Sequence, residues 1–467
     1  MEISCRDILA AVKGEIVQAG NLKKKPERMI IDSREVTHDD FFVPLCGEST
    51  DGHFFLGDAA QRGACGCFIG EDHKVLIPEN ITVIKVKDTL QALQRLAEVY
   101  RSKFSIPVIG VTGSNGKTTT KDLIAAVLSK RYNTLKTEGN LNNHIGLPLM
   151  ISRLQNSHSA AVFEMGMSGR GEIACLAHLA QPAIGVITNI GESHLEALGS
   201  RENIAAAKCE LLPFLSETGT AVLNADEPLL VPHIKCLRAK LITFGFSVEA
   251  DICCASEKLL GGKKHLRLEQ CGFKPLEIST PLPGRHNIYN LMAAVAVARE
   301  LGLKNEEIVQ GLTDLCLTGM RLEIETTPGG INIINDAYNA SPSSMAAALD
   351  VLVEKAGNAG KIAVLGDMLE LGGFEDEGHL LIGRLAAEKG IDALVLLGSR
   401  SKMIAKGAMQ AGYAACSIFD CSDHAEAARC VMTLAKKGDW VLIKGSRGMC
   451  MEKTLTELSP LGREETE

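Results

Sequence analysis

The sequence predicts an α/β protein of three domains: a small α/β domain over residues 1–104, a central parallel-sheet domain over 105–318 and a doubly wound domain over 319–467. Three observations lead there. At roughly 150 residues per domain, 467 residues make about three, and a hydrophobic content of 46% supplies each with a core. Glycine is abundant (45) while aromatics are only 4%, which suits parallel strands joined to helices by tight turns better than a β-sandwich. From Ile106 onward, short apolar runs alternate with glycine turns and amphipathic stretches, the pattern of a sheet covered on both faces.

In chain order, residues 28–32 read as a strand, and 89–103 as a helix with Leu90, Leu93, Leu96 and Ala97 at helical spacing. The central series has strands at 106–111, 160–164, 183–188 and 220–224, with helices after Lys117, from Gly171 and from Arg201. A further helix is predicted over 288–301. The last series begins near Gly319, with strands at 331–335, 361–366, 393–398 and 440–444 separated by amphipathic helices, and is Rossmann-like.

Forty-nine Lys and Arg against fifty-seven Asp and Glu leave a net charge of −8, which excludes a general polyanion binder and makes nucleic acid an unexpected partner. Fifteen cysteines, an odd and scattered set, contain no C-x-x-C; Cys65 with Cys67 and Cys253 with Cys254 are the nearest pairs. Neither spacing suits a structural zinc site, so buried free thiols in a reducing cytosol are expected. The first thirteen residues lack the apolar run of a secretory signal. Residues 173–191 lack Asp, Glu, Lys and Arg, but His178, Gln181, Pro182, Thr188 and Asn189 break the stretch, so no membrane insertion is expected.

The strand at 106–111 runs into Thr112-Gly113-Ser114-Asn115-Gly116-Lys117-Thr118-Thr119-Thr120 and then a helix. Glycines let backbone N–H groups turn toward a phosphate, Lys117 offers a point charge to β/γ oxygens, and the Thr118 hydroxyl can coordinate Mg2+. The usual G-x-x-x-x-G-K-[ST] spacing is not met, because its first glycine would fall on Val111. Glu164 ends an apolar strand, where open α/β sheets place ligand chemistry and where a hard cation finds oxygen. Alone, His194 after the strand at 183–188 reads as a hydrogen-bonded strand-end histidine, and Lys208 as a solvent-facing helix lysine.

The run Gly110-Val111-Thr112-Gly113-Ser114-Asn115-Gly116-Lys117-Thr118-Thr119 resembles the nucleotide loop of the Mur ligases, the amide-forming enzymes of peptidoglycan precursor synthesis. Thr137 to Pro148, with Asn140, Asn142 and Asn143, resembles the family's second central motif, and Thr188 to Glu196 its histidine signature, although Glu192 and Ser193 depart from the usual flank. The resemblance implies ATP and two Mg2+ ions, held by Thr118, Glu164, His194 and a carbamylated Lys208. It places His286 and Asn287 at the adenine, Arg321 on the phosphates, and Asp336 and Tyr338 beside the nucleotide. Asp32-Ser33-Arg34 and Gly47 to Phe54, containing Asp51 and His53, resemble the uridine-nucleotide region.

The segments Asp336 to Met345, Leu365 to Gly372 and Lys444 to Met449 resemble the branch of the family that adds D-alanyl-D-alanine, with Ser341 where Asn is usual. The implied substrates are UDP-N-acetylmuramoyl-tripeptide, touched by Ser33, Arg34, Asp51, His53, Asn142 and Asn143, and the dipeptide, touched by Asn339, Ser341, Lys444 and Arg447. A cytoplasmic monomer is expected. The chemistry follows: a carboxylate is a poor acyl donor until phosphorylated, and Lys117, Mg2+ and Arg321 are the cations that let two anions meet. Alternatives are a sibling Mur ligase, a folylpolyglutamate synthetase-like enzyme, or a nucleotide-gated binding protein. The chain lacks the Asp-Asn-Pro-Arg run of the diaminopimelate- or lysine-adding enzyme.

Overall fold

A computed structural model of the chain describes residues 1–47 and 50–458. Glu48 and Ser49, in the loop assigned to the uridine nucleotide, lie outside the described residues, as does 459–467 at the end of the third domain. The first sheet holds β1 (Glu15–Gln18), β2 (Met29–Ile30), β3 (Phe41–Phe42), β4 (Gly66–Gly70) and β5 (Thr82–Val86) in the order β1-β5-β4-β3-β2, with only β1 antiparallel to its neighbour. Helix α1 (Cys5–Val12) starts at a Ser4–Asp7 capping box, α2 is Leu56–Gln61, and α3 (Thr89–Arg101) is capped by Asp88. Tyr100 on α3 is fully buried, and its hydroxyl donates to the Leu154 carbonyl (2.6 Å) while accepting from the Glu2 N–H (2.9 Å). The Arg101 guanidinium donates to the carbonyls of Ala180 (2.8 Å) and Phe104 (2.6 Å). One hydrophobic core therefore runs from Ile3 into the second domain as far as Ala239.

The second sheet is built from β6 (Val108–Thr112), β7 (Thr134–Lys136), β8 (Ala160–Glu164), β9 (Ile184–Ile187), β10 (Thr220–Asn224), β11 (Lys240–Gly245), β12 (Ile252–Leu260), β13 (Lys263–Gln270) and β14 (Leu276–Thr280). Its helices are α4 (Lys117–Leu128), α5 (Gly146–Ser152), α6 (Glu172–Ala180), α7 (Leu195–Leu198), α8 (Arg201–Cys209), α9 (Arg285–Glu300) and α10 (Asn305–Thr313). The order is β14-β13-β12-β11-β10-β9-β6-β8-β7. Along β8, Ala161 and Phe163 enter the core on one face while Ala160 and Val162 enter the core on the other, as the two-residue strand period requires. The expected all-parallel sheet needs correction: it is parallel from β7 to β12, but β12, β13 and β14 form an antiparallel meander. The cause is a Gly261-Gly262 turn, both glycines at positive φ, between Leu260 and its partner Lys263. β13 alternates exposed and buried residues because one face is wet.

The third sheet runs β15-β16-β20-β17-β18-β19, from β15 (Glu323–Thr326), β16 (Asn332–Asn335), β17 (Lys361–Gly366), β18 (Ala393–Leu397), β19 (Ile418–Cys421) and β20 (Trp440–Lys444). Helices α11 (Pro342–Ala356), α12 (Glu375–Glu388), α13 (Lys402–Gln410), α14 (His424–Leu434) and α15 (Glu452–Leu458) complete it. Only β15 is antiparallel; it is exposed throughout. The segment joining the second and third domains is pinned at Thr318, whose N–H and hydroxyl both donate to buried Asp122 on α4 (2.9 and 2.8 Å).

All fifteen cysteines are free, but only Cys5, Cys67, Cys209 and Cys421 are buried. The expectation of mostly buried thiols is thus corrected: Cys46, Cys236, Cys271, Cys316 and Cys416 are exposed, standing in turns and short irregular segments rather than on apolar faces. Among the described residues no helix is long and apolar enough to cross a membrane.

Candidate active site

β6 delivers the chain to a loop whose shape needs glycine twice. Gly113 (φ +145°) and Gly116 (φ +78°) both have positive φ. A Cβ at 113 would collide with the Thr188 hydroxyl, and one at 116 would stand 2.5 Å from Asn290 Oδ1. The loop is tied to the end of β9: the Asn115 N–H donates to Asn189 Oδ1 (2.9 Å), and the Thr188 hydroxyl donates to the Asn115 carbonyl (2.6 Å). Helix α4 then begins at Lys117, and its first amides have no helical partner, the arrangement that receives phosphate oxygens. Lys117 Nζ donates to the carbonyls of Gly113 (2.8 Å) and Ser114 (3.1 Å), folded back over the loop. Withdrawal from water lowers its pKa to about 8; the Glu164 charge opposes that shift and the Arg321 charge adds to it.

Glu164 sits at the carboxyl end of β8 and is only 2% exposed. Oε1 accepts from Asn142 Nδ2 (2.7 Å), whereas Oε2 is buried with no partner. A buried carboxylate oxygen without a hydrogen-bond partner is a donor suited to a hard cation. Lys208, on α8, is 1% exposed, and burial together with the Lys117 charge pushes its pKa well below the ordinary lysine value. Thr118 accepts from Arg321 Nη2 (3.2 Å), so an arginine from the interdomain segment already reaches the phosphate loop. Arg321 lies 3.9 Å over the Tyr338 ring, and its neighbours Met320 and Leu322 both have positive φ.

His194 (φ +64°) pairs through Nδ1 with Glu370 of the third domain at 2.6 Å, which leaves Nε2 to face elsewhere. Glu370 is a partner the sequence reading had not singled out. Its pKa is lowered by that hydrogen bond. These groups open onto one cleft of about 640 Å³, whose lining includes Ser114, Asn115, Gly116, Lys117, Thr119, Asn142 and Asn143. Glu164, His194, His286, Asn287, Arg321, Asp336, Tyr338, Asn339, Ser341 and Lys444 line it too. Gly113, Thr118 and Lys208 lie behind that surface. An adjoining recess of about 100 Å³ is bordered by His194, Asn339, Ser341, Glu370 and Arg447.

Several candidates are already engaged. Lys444 is 2% exposed and donates to Asp336 Oδ2 and to the Asn339 carbonyl (3.0 Å), so it holds the 336–339 loop in place rather than offering a free cation. Asn287 donates to the Pro283 carbonyl (2.8 Å) and accepts from Asn290 (3.0 Å) in the first turn of α9. Burial lowers the pKa of His286 beside it, favouring the neutral ring. Arg447 is exposed and paired with Glu452 (2.9 Å). Asn140 is exposed in a turn outside the cleft lining; Ser33, Arg34, Asp51 and His53, in short turns of the first domain, lie outside it as well. The sequence reading missed a polar and aromatic shelf where Tyr289 donates to Asp226 (2.8 Å) and Arg285 covers Phe246 at 3.9 Å. Asp226 follows the end of β10, the same strand-end signal that marked Glu164.

Three family models match in succession: "Mur ligase family, catalytic domain" over 27–101, "Mur ligase middle domain" over 111–298 and "Mur ligase, glutamate ligase domain" over 320–447. The UDP-N-acetylmuramoyl-tripeptide--D-alanyl-D-alanine ligase of Bacillus subtilis is 40% identical over 98% of both chains. The chain belongs to the Mur ligase family. The Mur ligase fold extends to solved structures: MurF from Acinetobacter baumannii has a TM-score of 0.88 at 30% identity, covering 98% of each chain. MurF ligase from Thermotoga maritima in complex with ADP has 0.80 at 29%, covering 92% of this chain and 97% of that one. Within this Mur ligase, Lys117, Glu164, His194 and Lys208 fall in the middle-domain match, while Arg321, Asp336, Lys444 and Arg447 fall in the C-terminal one.

Proposed function

We propose that this Mur ligase joins D-alanyl-D-alanine to UDP-N-acetylmuramoyl-tripeptide, using ATP to convert the tripeptide carboxylate to an acyl phosphate that the dipeptide amine then attacks. The observation that carries the reading is convergence. A phosphate loop from one domain and the 336–341 loop of another meet in a single cleft, in a chain whose full-length relatives are named for that reaction. Lys117 would release the loop carbonyls and turn to the transferring phosphoryl group, joined by Arg321. The 100 Å³ recess, with Arg447 at its border, is the place for the dipeptide, whose carboxylate suits a guanidinium. The first domain takes the uridine nucleotide through the region of Ser33, Arg34, Asp51 and His53. Closure over the cleft keeps water from the acyl phosphate.

The residues present fit magnesium. Glu164 Oε2 is orphaned, the Thr118 hydroxyl stands in the first turn of α4 directly after the loop, and His194 is oriented by Glu370. Such a cation, when bound, would neutralise phosphate charge beside the incoming carboxylate. Lys208, buried and shifted toward its neutral amine, has the form that takes up CO2, so carbamylation to a carboxylate-like ligand completes the proposal. Free thiols and nucleotide substrates suit a cytoplasmic setting. The test is phosphate release from ATP with UDP-N-acetylmuramoyl-tripeptide and a panel of amino acids and dipeptides. D-alanyl-D-alanine should stand out; preference for a single amino acid overturns the assignment.

A further inference from the structure

Cys46, Asp51, His53 and His73 meet in the first domain, away from the cleft and its recess. Their ligand atoms all lie within 4.8 Å of one another, the one such group of three or more metal-ligating side chains found among the described residues. An isolated antiparallel bridge sets Cys46 opposite Asp51, and the Gly47 N–H donates to the Thr50 carbonyl within the turn.

Hydrogen bonding sorts the four side chains. The Gly70 N–H can only donate, so His53 Nε2 accepts (3.0 Å) and the ring proton resides on Nδ1, which donates to Asp51 Oδ1 at 2.7 Å. A metal on His53 Nδ1 would require a ring stripped of both protons, so His53 is no ligand. It supports Asp51, as carboxylates and histidines do behind metal ligands. The other Asp51 oxygen, Oδ2, stands 3.2 Å from His73 Nε2. Cys46 Sγ lies 3.5 Å from His73 Nε2 and 3.6 Å from Asp51 Oδ1. Tetrahedral zinc, with bonds of about 2.3 Å to sulfur and 2.0–2.1 Å to nitrogen and oxygen, separates its ligands by roughly 3.3–3.6 Å. The two separations at His73 Nε2 stand close to that spacing already, and Cys46 reaches the same carboxylate. His73 is held for the purpose: its ring stacks on His53 with centroids 3.6 Å apart, and its Nδ1 is buried without a partner, leaving Nε2 as the working nitrogen.

We infer that Cys46, Asp51 and His73 form a zinc-type site with an open fourth position, buttressed by His53. A thiolate and an imidazole select zinc over the magnesium that serves phosphate chemistry. Binding displaces the Cys46 proton to solvent and leaves the His73 ring proton on Nδ1, so one proton is released per ion. Spacing along the chain hides the site: residues 46, 51 and 73 match no C-x-x-C pattern, and only the fold assembles them.

The site shares Asp51 and His53 with the region proposed for the uridine nucleotide, but its test measures metal rather than turnover and so succeeds or fails independently of the ligase reading. The full chain, with magnesium and without nucleotide, is titrated with Zn2+ against a chromophoric chelator, and separately with Co2+, whose thiolate charge-transfer band reports a sulfur ligand. Cys46→Ser and His73→Gln should each take up one zinc fewer than the parent, or bind it at least tenfold more weakly. Cys46→Ser should also lose the cobalt–thiolate band. Melting without zinc verifies that both variants, altered on separate segments, remain folded; zinc should raise the melting temperature of the parent alone. Absence of zinc uptake by the parent overturns the site, as does unchanged uptake in either variant.

Discussion

Replacing Lys117 with alanine separates the charge at the phosphate loop from the loop's shape. The side chain makes two hydrogen bonds, to the carbonyls of Gly113 and Ser114, and is half-buried. At a net ~0.5–1.5 kcal/mol each, their loss costs the loop at most about 1–3 kcal/mol. The glycine backbone and the Asn189 contacts do not depend on Lys117, so melting should fall by only a few degrees. The rate should respond far more. Deleting one preorganised donor aimed at developing charge costs about 10²–10³-fold, or about 2.7–4 kcal/mol of barrier. The lowered pKa adds a pH signature. With a value of about 8, most molecules carry the charge at neutral pH, and it is lost as pH rises through 8. The kcat/KM for ATP, which reports the free enzyme, should therefore decline above that pH. In Lys117→Arg this alkaline limb should vanish, because guanidinium stays protonated. Steady-state phosphate release across pH, with a thermal melt of each variant, tests the argument. It fails if Lys117→Ala keeps kcat/KM within about threefold of the parent, or if the limb persists in Lys117→Arg.

Lys208→Arg should nearly abolish ligation, since guanidinium keeps a buried charge but cannot form a carbamate; bicarbonate should raise parent activity only, and full activity in the variant would reduce Lys208 to a packing residue. Arg447→Ala should raise the KM for D-alanyl-D-alanine and leave that for ATP nearly unchanged, as read by varying each substrate in turn. Asp122→Asn breaks the buried pair with Lys121 and the contact to half-exposed Lys136 and weakens the Thr318 anchor, which should cost about 3–5 kcal/mol in urea unfolding at pH 7. Burial alone would raise the Asp122 pKa, but Lys121, Lys136 and Thr318 bring it below the ordinary value. Its stabilisation is therefore present above the unfolded pKa and lost as pH falls through the folded one, so parent and variant should converge below about pH 4.

The strands that carry chemistry were legible because each is buried on both faces and ends in a glycine turn: 160–164 coincides with β8 and 220–224 with β10. The antiparallel meander was not read from alternation, although Gly261-Gly262 between alternating residues is a hairpin signal present in the sequence. β15 offered no pattern, having no buried face. At the site, the residue types of the phosphate loop point directly to their chemistry. Whether a polar side chain is free or already engaged does not show in sequence. Lys444 has the composition of a ligand-binding cation, yet its partner Asp336 lies 108 residues away. The Asp51, His53 and His73 arrangement was hidden for the same reason.

The third domain stands over the cleft on a handful of polar contacts: Asn115 to Ser343 (3.0 Å), His194 to Glu370, Glu354 to Lys264 (3.1 Å) and Arg321 to Thr118. Those that face solvent, as Asn115 with Ser343 and His194 with Glu370 do, contribute about 0–1 kcal/mol each. Several of them engage groups assigned to ATP and its metal, so this arrangement of the domains competes with ATP for its own binding residues. Nucleotide affinity then becomes a shared property: the apparent dissociation constant equals the intrinsic one divided by the fraction of molecules standing open. A substitution such as Ser343→Ala, which removes the third-domain partner of Asn115 on the phosphate loop, should tighten ATP binding by loosening the latch. In that sense the domain contacts act as an internal competitive inhibitor, tethered to the enzyme it restrains.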